Sequence, residues 1–288
     1  MGRRPRIKGP GLYHHIYNRG NDRHPIFKSR NDFKQYLTFL KRYSLEYRID
    51  IIAYALMNTH VHLFVYDRHG EISGFIEYLH GHYAKRYNRL YGRDGHVFGS
   101  RFKNKIVDAS TYGIWLSRYI HRQSVEAHVS VRPEEYEWTS YLSYVSEKKD
   151  GFIRKHHILS WFGDTEKEQR HAYKSFIDGT DCGPIDWQAM ENDPRPIIGD
   201  KRYVDRIKKK MGLKDSSKAQ KNDVLNIVCF QLEISIDDLM SPTSKEERHL
   251  RNKAILILHR DYNYGIRKIA RELNLSPGFV SMVVNNQT

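Results

Sequence analysis

Arg48–Met57 is apolar and rich in β-forming residues, Asn58-Thr59 is a turn pair, and His60–Tyr66 alternates between two faces. Two such runs around a short turn predict a β-hairpin, which commits the chain to an antiparallel sheet. Gly11–Asn18 also alternates, with Tyr13, His15 and Tyr17 on one face, and Lys103–Val107 reads as a further strand. Helical spacing separates these strands. Asn31–Tyr47 carries Phe33, Tyr36, Leu37, Leu40 and Tyr43 on one face, with Ser29 or Asn31 as its cap. Ile72–Tyr91 carries Ile76, Leu79, Tyr83, Tyr87 and Leu90, and Ser110 to about Ala127 is a third helix. The order β-α-β-β-α-β-α predicts an α+β domain at residues 1–148, an antiparallel sheet with helices packed on one face.

The rest of the chain reads differently. Residues 149–221 are expected to form a helical extension and a basic linker, with Asp181–Pro196 irregular and Lys201–Lys221 rich in cations. Residues 222–288 are expected to form a compact all-α domain. A length of 288 residues agrees with about two domains.

Composition narrows the partners. Lys and Arg number 48 against 34 Asp and Glu, a net charge of +14. Such an excess favours a polyanion through long-range attraction and counterion release. The 20 Tyr and 12 Phe interleaved with these cations suit unpaired bases. A merely soluble basic protein is the alternative. The longest apolar run, near Ile51–Met57, is too short for a membrane span, and no apolar stretch follows the basic opening MGRRPRIKGP as a secretory signal requires. Cys182 and Cys229 lack metal or redox spacing and read as free thiols, consistent with a cytoplasmic protein.

The run Met57-Asn58-Thr59-His60-Val61-His62-Leu63-Phe64-Val65 carries the most chemistry. On a strand His60 and His62 share a face, their Cα atoms about 6.6 Å apart, so both imidazoles can reach one divalent ion. Val61, Leu63 and Val65 then enter the core. Two histidines under-fill a coordination shell, so a third ligand is needed. Two partly exposed histidines of no special role satisfy the same pattern.

The third predicted helix contains Tyr119 and Gln123, which share a face at i and i+4. Gln123 offers a neutral oxygen ligand. Tyr119 offers a phenol that could attack phosphorus, although only ~0.1% of a free phenol is ionised at pH 7. Ordinary packing is the alternative for any one tyrosine. Tyr83, Tyr87 and Tyr91 form a rival stripe suited to the core or to base stacking. A phosphate-tracking surface is expected from the arm Arg3, Arg4 and Arg6, the helix residues Lys85 and Arg89, and Arg93, His96, Arg101, Lys103 and Lys105 around a glycine-rich loop.

Five segments in order, GLYHHIYNRGNDRHPIF, ALMNTHVHLFV, GHVFGSRFKNKIV, SRYIHRQSVEAHV and YEWTSYLSY, resemble a REP-associated tyrosine transposase, a branch of the HUH single-tyrosine transposases. The resemblance covers the first ~210 residues. It implies a ferredoxin- or RRM-like fold, Tyr119 as nucleophile, and His60, His62 and Gln123 as ligands of Mg²⁺ or Mn²⁺. It also implies cleavage of single-stranded DNA at hairpins to a 5′-phosphotyrosine and a free 3′-OH, followed by rejoining. The chain departs from the family at Asn58-Thr59, where Pro-Asn is usual, and at Gln123-Ser124, where Asn-Pro is usual. A catalytically weakened hairpin-binding or regulatory protein, or a phosphodiesterase that uses water, are the other readings.

Tyr264–Ser281 reads as a helix-turn-helix. Ile266, Ile269, Ala270 and Leu273 form one stripe, Asn274 suits a left-handed turn, and Ser276-Pro277 opens the second helix. Ser276, Phe279 and Ser281 would face duplex DNA. With Val224–Leu258 before it, this region resembles the C-terminal DNA-binding domain of DnaA-type initiators. A packing or oligomerisation tail is the alternative.

Overall fold

The structure is a computed structural model that describes residues 6–147, 151–181, 183–191, 193, 195–213, 224–225, 228–229, 231–232, 234–262 and 264–285. The chain divides into two compact units, Met1–Leu213 and Lys214–Thr288. The stretch from 151 to 213 packs within the first unit. Among the described residues no helix is long and apolar enough to cross a membrane.

The first unit is built on strands β1 (Leu12–Arg19), β2 (Ile49–Met57), β3 (His60–Asp67), β4 (Lys103–Val107) and β5 (Ile197–Ile198), in the order β2-β3-β1-β4-β5. The hairpin forms as the sequence predicts, with Met57 opposite His60. The β1, β2, β3 and β4 pairings are antiparallel, whereas β5 joins β4 in parallel. A strand this short carries no periodicity to read. Hydrogen bonds from Ile106 N–H to Pro196 and from Asp108 N–H to Ile198 dock it.

Helices α1 (Arg30–Glu46) and α2 (Ile72–Tyr91) cover one face of the sheet. Ser29, not Asn31, caps α1, through a capping box with Asp32. Val61, Leu63 and Val65 are buried on this side, and the Asn18 amide meets His80 of α2. The opposite face carries Tyr13, His15 and Tyr17 from β1 and His60, His62 and Phe64 from β3. Across the strands Tyr17 stands opposite His62, and His15 opposite Phe64. That face receives α3 (Ala109–His121), capped by Asp108.

The third helix is shorter than its periodicity predicts. Arg122 leaves helical geometry (φ −92°, ψ 1°), and α4 (Gln123–Glu126) begins after it. Arg122 donates to the Ile177 carbonyl, so a tertiary contact holds the residue at the break. Short helices α5 (Tyr141–Val145) and α6 (His156–Leu159) follow, then α7 (Glu166–Asp178), α8 (Trp187–Met190) and α9 (Lys201–Lys210).

Two histidines lock this core. His80 lies between Asn18 and the Tyr36 hydroxyl, and His121 between Tyr173 and Ser140. Burial pushes both down to about 3, so they stay neutral in the folded chain and charge only on unfolding. Their stabilisation is complete above the unfolded value near 6.5 and is lost as pH falls below it. At pH 5 the two together remove roughly 4 kcal/mol. His14 and His15, pushed down to about 4 and about 3, act with the same sign. The first unit should therefore unfold between pH 6 and pH 4, as circular dichroism would record. A midpoint at or below about pH 3 contradicts this account.

In the second unit α10 (Ile236–Met240), α11 (Lys245–Arg260), α12 (Ile266–Glu272) and α13 (Pro277–Asn285) enclose Leu239, Ile255, Leu258, Ile269, Leu273 and Val280. Asn274 takes the left-handed conformation (φ 53°), and the Ser276 hydroxyl accepts from the Phe279 N–H at the start of α13. These are the turn and cap the sequence predicts. Cys229 is buried in this unit, and Cys182 lies outside the described residues.

Candidate active site

His60 opens β3, and antiparallel pairing sets Arg19, the last residue of β1, opposite it. The His60 and His62 rings lie 5.1 Å apart, edge to face. α3 brings Tyr119 over them, its ring 5.6 Å from that of His62 and 6.0 Å from that of His15. Gln123 follows one turn later despite the break at Arg122. Its side chain hydrogen-bonds the His60 imidazole and reaches the Tyr119 carbonyl at 3.4 Å. The four side chains singled out in the sequence therefore converge, although two come from a strand and two from a distant helical segment.

The face is covered at His62. His62 is buried, and His15 Nε2 lies 3.2 Å from its Nδ1. Glu191, just beyond α8, covers the rest. Its carboxylate is only 5% exposed. One oxygen accepts from the Tyr119 hydroxyl at 2.9 Å, and the other pairs with Arg19 at 2.9 Å. Its backbone carbonyl accepts from the Tyr17 hydroxyl and from Lys103 at 3.4 Å. The Trp187 ring stacks 6.4 Å from that of Tyr119. Sequence reading missed Glu191, because a single acid in an irregular stretch carries no pattern. Arg19 was within reach, since extending the hairpin register to β1 sets it beside His60.

Burial dominates the electrostatics. It pushes His60 down to about 4, helped by the Arg19 charge, and holds His62 well below the ordinary histidine range. Both imidazoles are thus neutral, the form that binds metal. Burial first, then the Glu191 charge, raises the Tyr119 hydroxyl far above an ordinary phenol. Glu191→Gln should lower the Tyr119 value by removing the neighbouring charge, so that the variant's tyrosine ¹³Cζ signal begins to titrate at lower pH than the native one. An unmoved titration would show that Glu191 does not govern this phenol.

The donor set fits a divalent ion of the kind the resemblance implies. Two neutral imidazoles stand side by side, and an amide that can turn its oxygen inward touches one of them. Among the described residues no three His, Cys, Asp or Glu side chains form a cation cage, and the amide stands beside the pair as a further donor. The Glu191 carboxylate also lies near the pair, one oxygen 3.6 Å from His62 Nδ1.

The surface residues divide. Lys85 and Arg89 are exposed on α2, His96 and Arg101 are exposed in the glycine loop, and Lys103 is exposed on β4. Arg6 stacks on Phe102 at 3.7 Å, and Arg93 lies 5.7 Å over Tyr87. Lys105 departs from the expectation of a phosphate contact. It is buried, and its ammonium donates to the backbone carbonyls of Asp193 and Arg195. Burial pushes it down to about 8. It is buried because Asp193 and residues 195–198 lie along the edge of β4. Tyr83 and Tyr87 are core residues. Ser276, Phe279 and Ser281 lie on or beside α13 in the second unit. Arg3 and Arg4 lie outside the described residues.

Residues 10–123 match the family described as Transposase IS200 like. That segment is similar to the IS200-like transposases. It contains His60, His62, Tyr119 and Gln123, and stops short of Glu191. No curated protein matches the chain. Among solved structures, the chain is similar to a REP-associated tyrosine transposase bound to a REP hairpin, at 16% identity and TM-score 0.42, over 57% of this chain and 92% of that one. It is also similar to a crystal structure from Deinococcus radiodurans R1 provisionally described as a transposase, at 17% identity and TM-score 0.29, over 42% of this chain and 98% of that one.

Proposed function

We propose that this protein is a single-strand DNA transposase or endonuclease that cuts and rejoins DNA at REP-type hairpins, with Tyr119 as nucleophile. The observation that carries this reading is the meeting of Tyr119 with His60, His62 and Gln123 on one sheet face. His60, His62 and Gln123 would hold Mg²⁺ or Mn²⁺, which when bound supplies Lewis-acid polarisation of the scissile phosphate.

The chain's own residues account for the rest. The Glu191 carboxylate sits between Arg19 and Tyr119, where an anion is already accommodated. DNA entry displaces it, and Arg19 then takes a phosphate oxygen in its place. Tyr119 Oη forms a bond to phosphorus while the bond from phosphorus to the 3′ oxygen breaks. The phenol proton leaves to water and the departing 3′ oxygen gains one, so the products are a 5′-phosphotyrosine and a free 3′-OH. Rejoining reverses the step with a new 3′-OH, and one phosphodiester is exchanged for another. His15, Trp187 and the buried strand face hold the phenol in line.

Glu191 also favours a second reading. A carboxylate that keeps its place would repel the scissile phosphate, leaving a hairpin-binding protein with little cleavage. The basic surface would serve both readings, and α13 would add duplex DNA as a second partner. The test is incubation of the full chain with labelled single-stranded hairpin DNA and Mn²⁺, scored for a denaturation-resistant protein–DNA adduct. An adduct supports cleavage; hairpin binding without one favours the second reading; binding that ignores salt sinks both.

A further inference from the structure

The Asn58-Thr59 turn that precedes the histidine pair is pinned from outside the hairpin. The Gly20 N–H donates to the Thr59 carbonyl at 2.8 Å, and the Ile26 and Phe27 N–H groups donate to the Asn58 carbonyl at 2.7 and 3.1 Å. The Thr59 backbone is therefore held at the start of β3, and its branched Cβ restricts the side chain to few rotamers. Its hydroxyl lies 3.0 Å from Nδ1 of His60.

His62 has a neighbour of the same kind. His15 stands diagonally across β1 and β3 from it, with Nε2 at 3.2 Å from His62 Nδ1. One of these two nitrogens carries the proton between them, and the Glu191 oxygen 3.6 Å from the same Nδ1 decides which. A carboxylate repels a bare lone pair and attracts an N–H, so the proton sits on His62 Nδ1 and His15 Nε2 accepts it. His15 is buried, its ring 6.0 Å from those of Tyr119 and Trp187 and 5.2 Å from that of Tyr17, so it cannot turn away without disturbing the packed face.

A neutral imidazole carries one proton. Where Nδ1 holds it, Nε2 presents the lone pair, and the group that accepts from Nδ1 fixes the ring's orientation and raises its basicity. In both rings of the pair the engaged nitrogen is Nδ1.

We propose that Thr59 and His15 are the positioning residues of the histidine pair: each accepts the Nδ1 proton of the ring it touches and so leaves Nε2 to a divalent ion. The inference rests on the metal-dependent reading above. When His60 Nε2 faces an ion its ring proton must lie on Nδ1, and the Thr59 hydroxyl oxygen is placed to accept it. Neither residue is itself a ligand.

Calorimetric titration of the full chain with Mn²⁺ tests this. Thr59→Val keeps the branched shape and loses the hydroxyl, whereas Thr59→Ser keeps the hydroxyl and loses the methyl group. Thr59→Val should bind Mn²⁺ roughly 10-fold more weakly than the native chain, and Thr59→Ser should stay within about 3-fold of it. A residue that only packed would rank the two variants in the opposite order. His15→Phe, a ring without an acceptor, should lose at least ~10-fold, and His15→Gln, whose side-chain oxygen accepts, should lose less. Because His15 is buried, its role is also read in the native chain, where long-range ¹H–¹⁵N NMR should find the His62 proton on Nδ1 before metal is added. Native affinity in Thr59→Val or His15→Phe, or a His62 proton on Nε2, overturns the assignment of the residue concerned and leaves the metal reading standing. A native chain that binds no Mn²⁺ overturns the metal reading as well.

Discussion

Tyr119→Phe should abolish the covalent protein–DNA adduct while leaving hairpin affinity within about 3-fold, because the ring keeps its packing and only the nucleophilic oxygen is lost. The expected fall in cleavage is at least ~10³-fold, the scale on which enzymes lose activity when the nucleophile is removed. The substitution is mild for the fold. The hydroxyl donates to Glu191 and lies beside the Gln123 amide, and the ring contacts with His15, His62 and Trp187 persist. The adduct is read on a denaturing gel with labelled DNA, and affinity by anisotropy. Cleavage that survives in the variant would move the reaction to water and make Tyr119 a packing residue. Loss of binding together with cleavage would indicate a broken site rather than a missing nucleophile.

His60→Ala should cost roughly 10³-fold in cleavage, about 4 kcal/mol, the stabilisation a polarising divalent ion gives a phosphoryl oxygen. His60 suits the test better than His62, because His62 is buried and its removal would leave a cavity. Calorimetric titration with Mn²⁺ gives a second readout, in which the native chain binds and the variant binds much more weakly. Chelation of the native chain with EDTA should reproduce the kinetic loss. Full cleavage in EDTA, or native Mn²⁺ affinity in His60→Ala, would remove the pair from metal binding and leave two neutral histidines beside a tyrosine.

The hairpin, the two long helices and the Asn274 turn were legible because each rests on short-range rules. Strand alternation set Val61, Leu63 and Val65 in the core, helical spacing set Leu79 and Tyr83 there, and a left-handed turn position drew an asparagine. The end of α3 was not legible. Its apolar spacing continues past His121, and the Arg122 contact with Ile177 that holds the break comes from another helix. Lys105 failed for a similar reason. Nothing nearby in the chain shows that residues 195–198 lie along β4 and that the Asp193 and Arg195 carbonyls take the ammonium.

Local pattern was enough to set His60 and His62 on one face and Tyr119 and Gln123 on another, since side-chain direction on strands and helices follows from backbone geometry alone. Whether those faces meet depends on which way α3 crosses the sheet, and burial of both surfaces decides that. Glu191 belongs wholly to the folded state. A buried carboxylate becomes stable beside a tyrosine where the half-exposed Arg19, anchored at the end of a neighbouring strand, supplies the opposite charge.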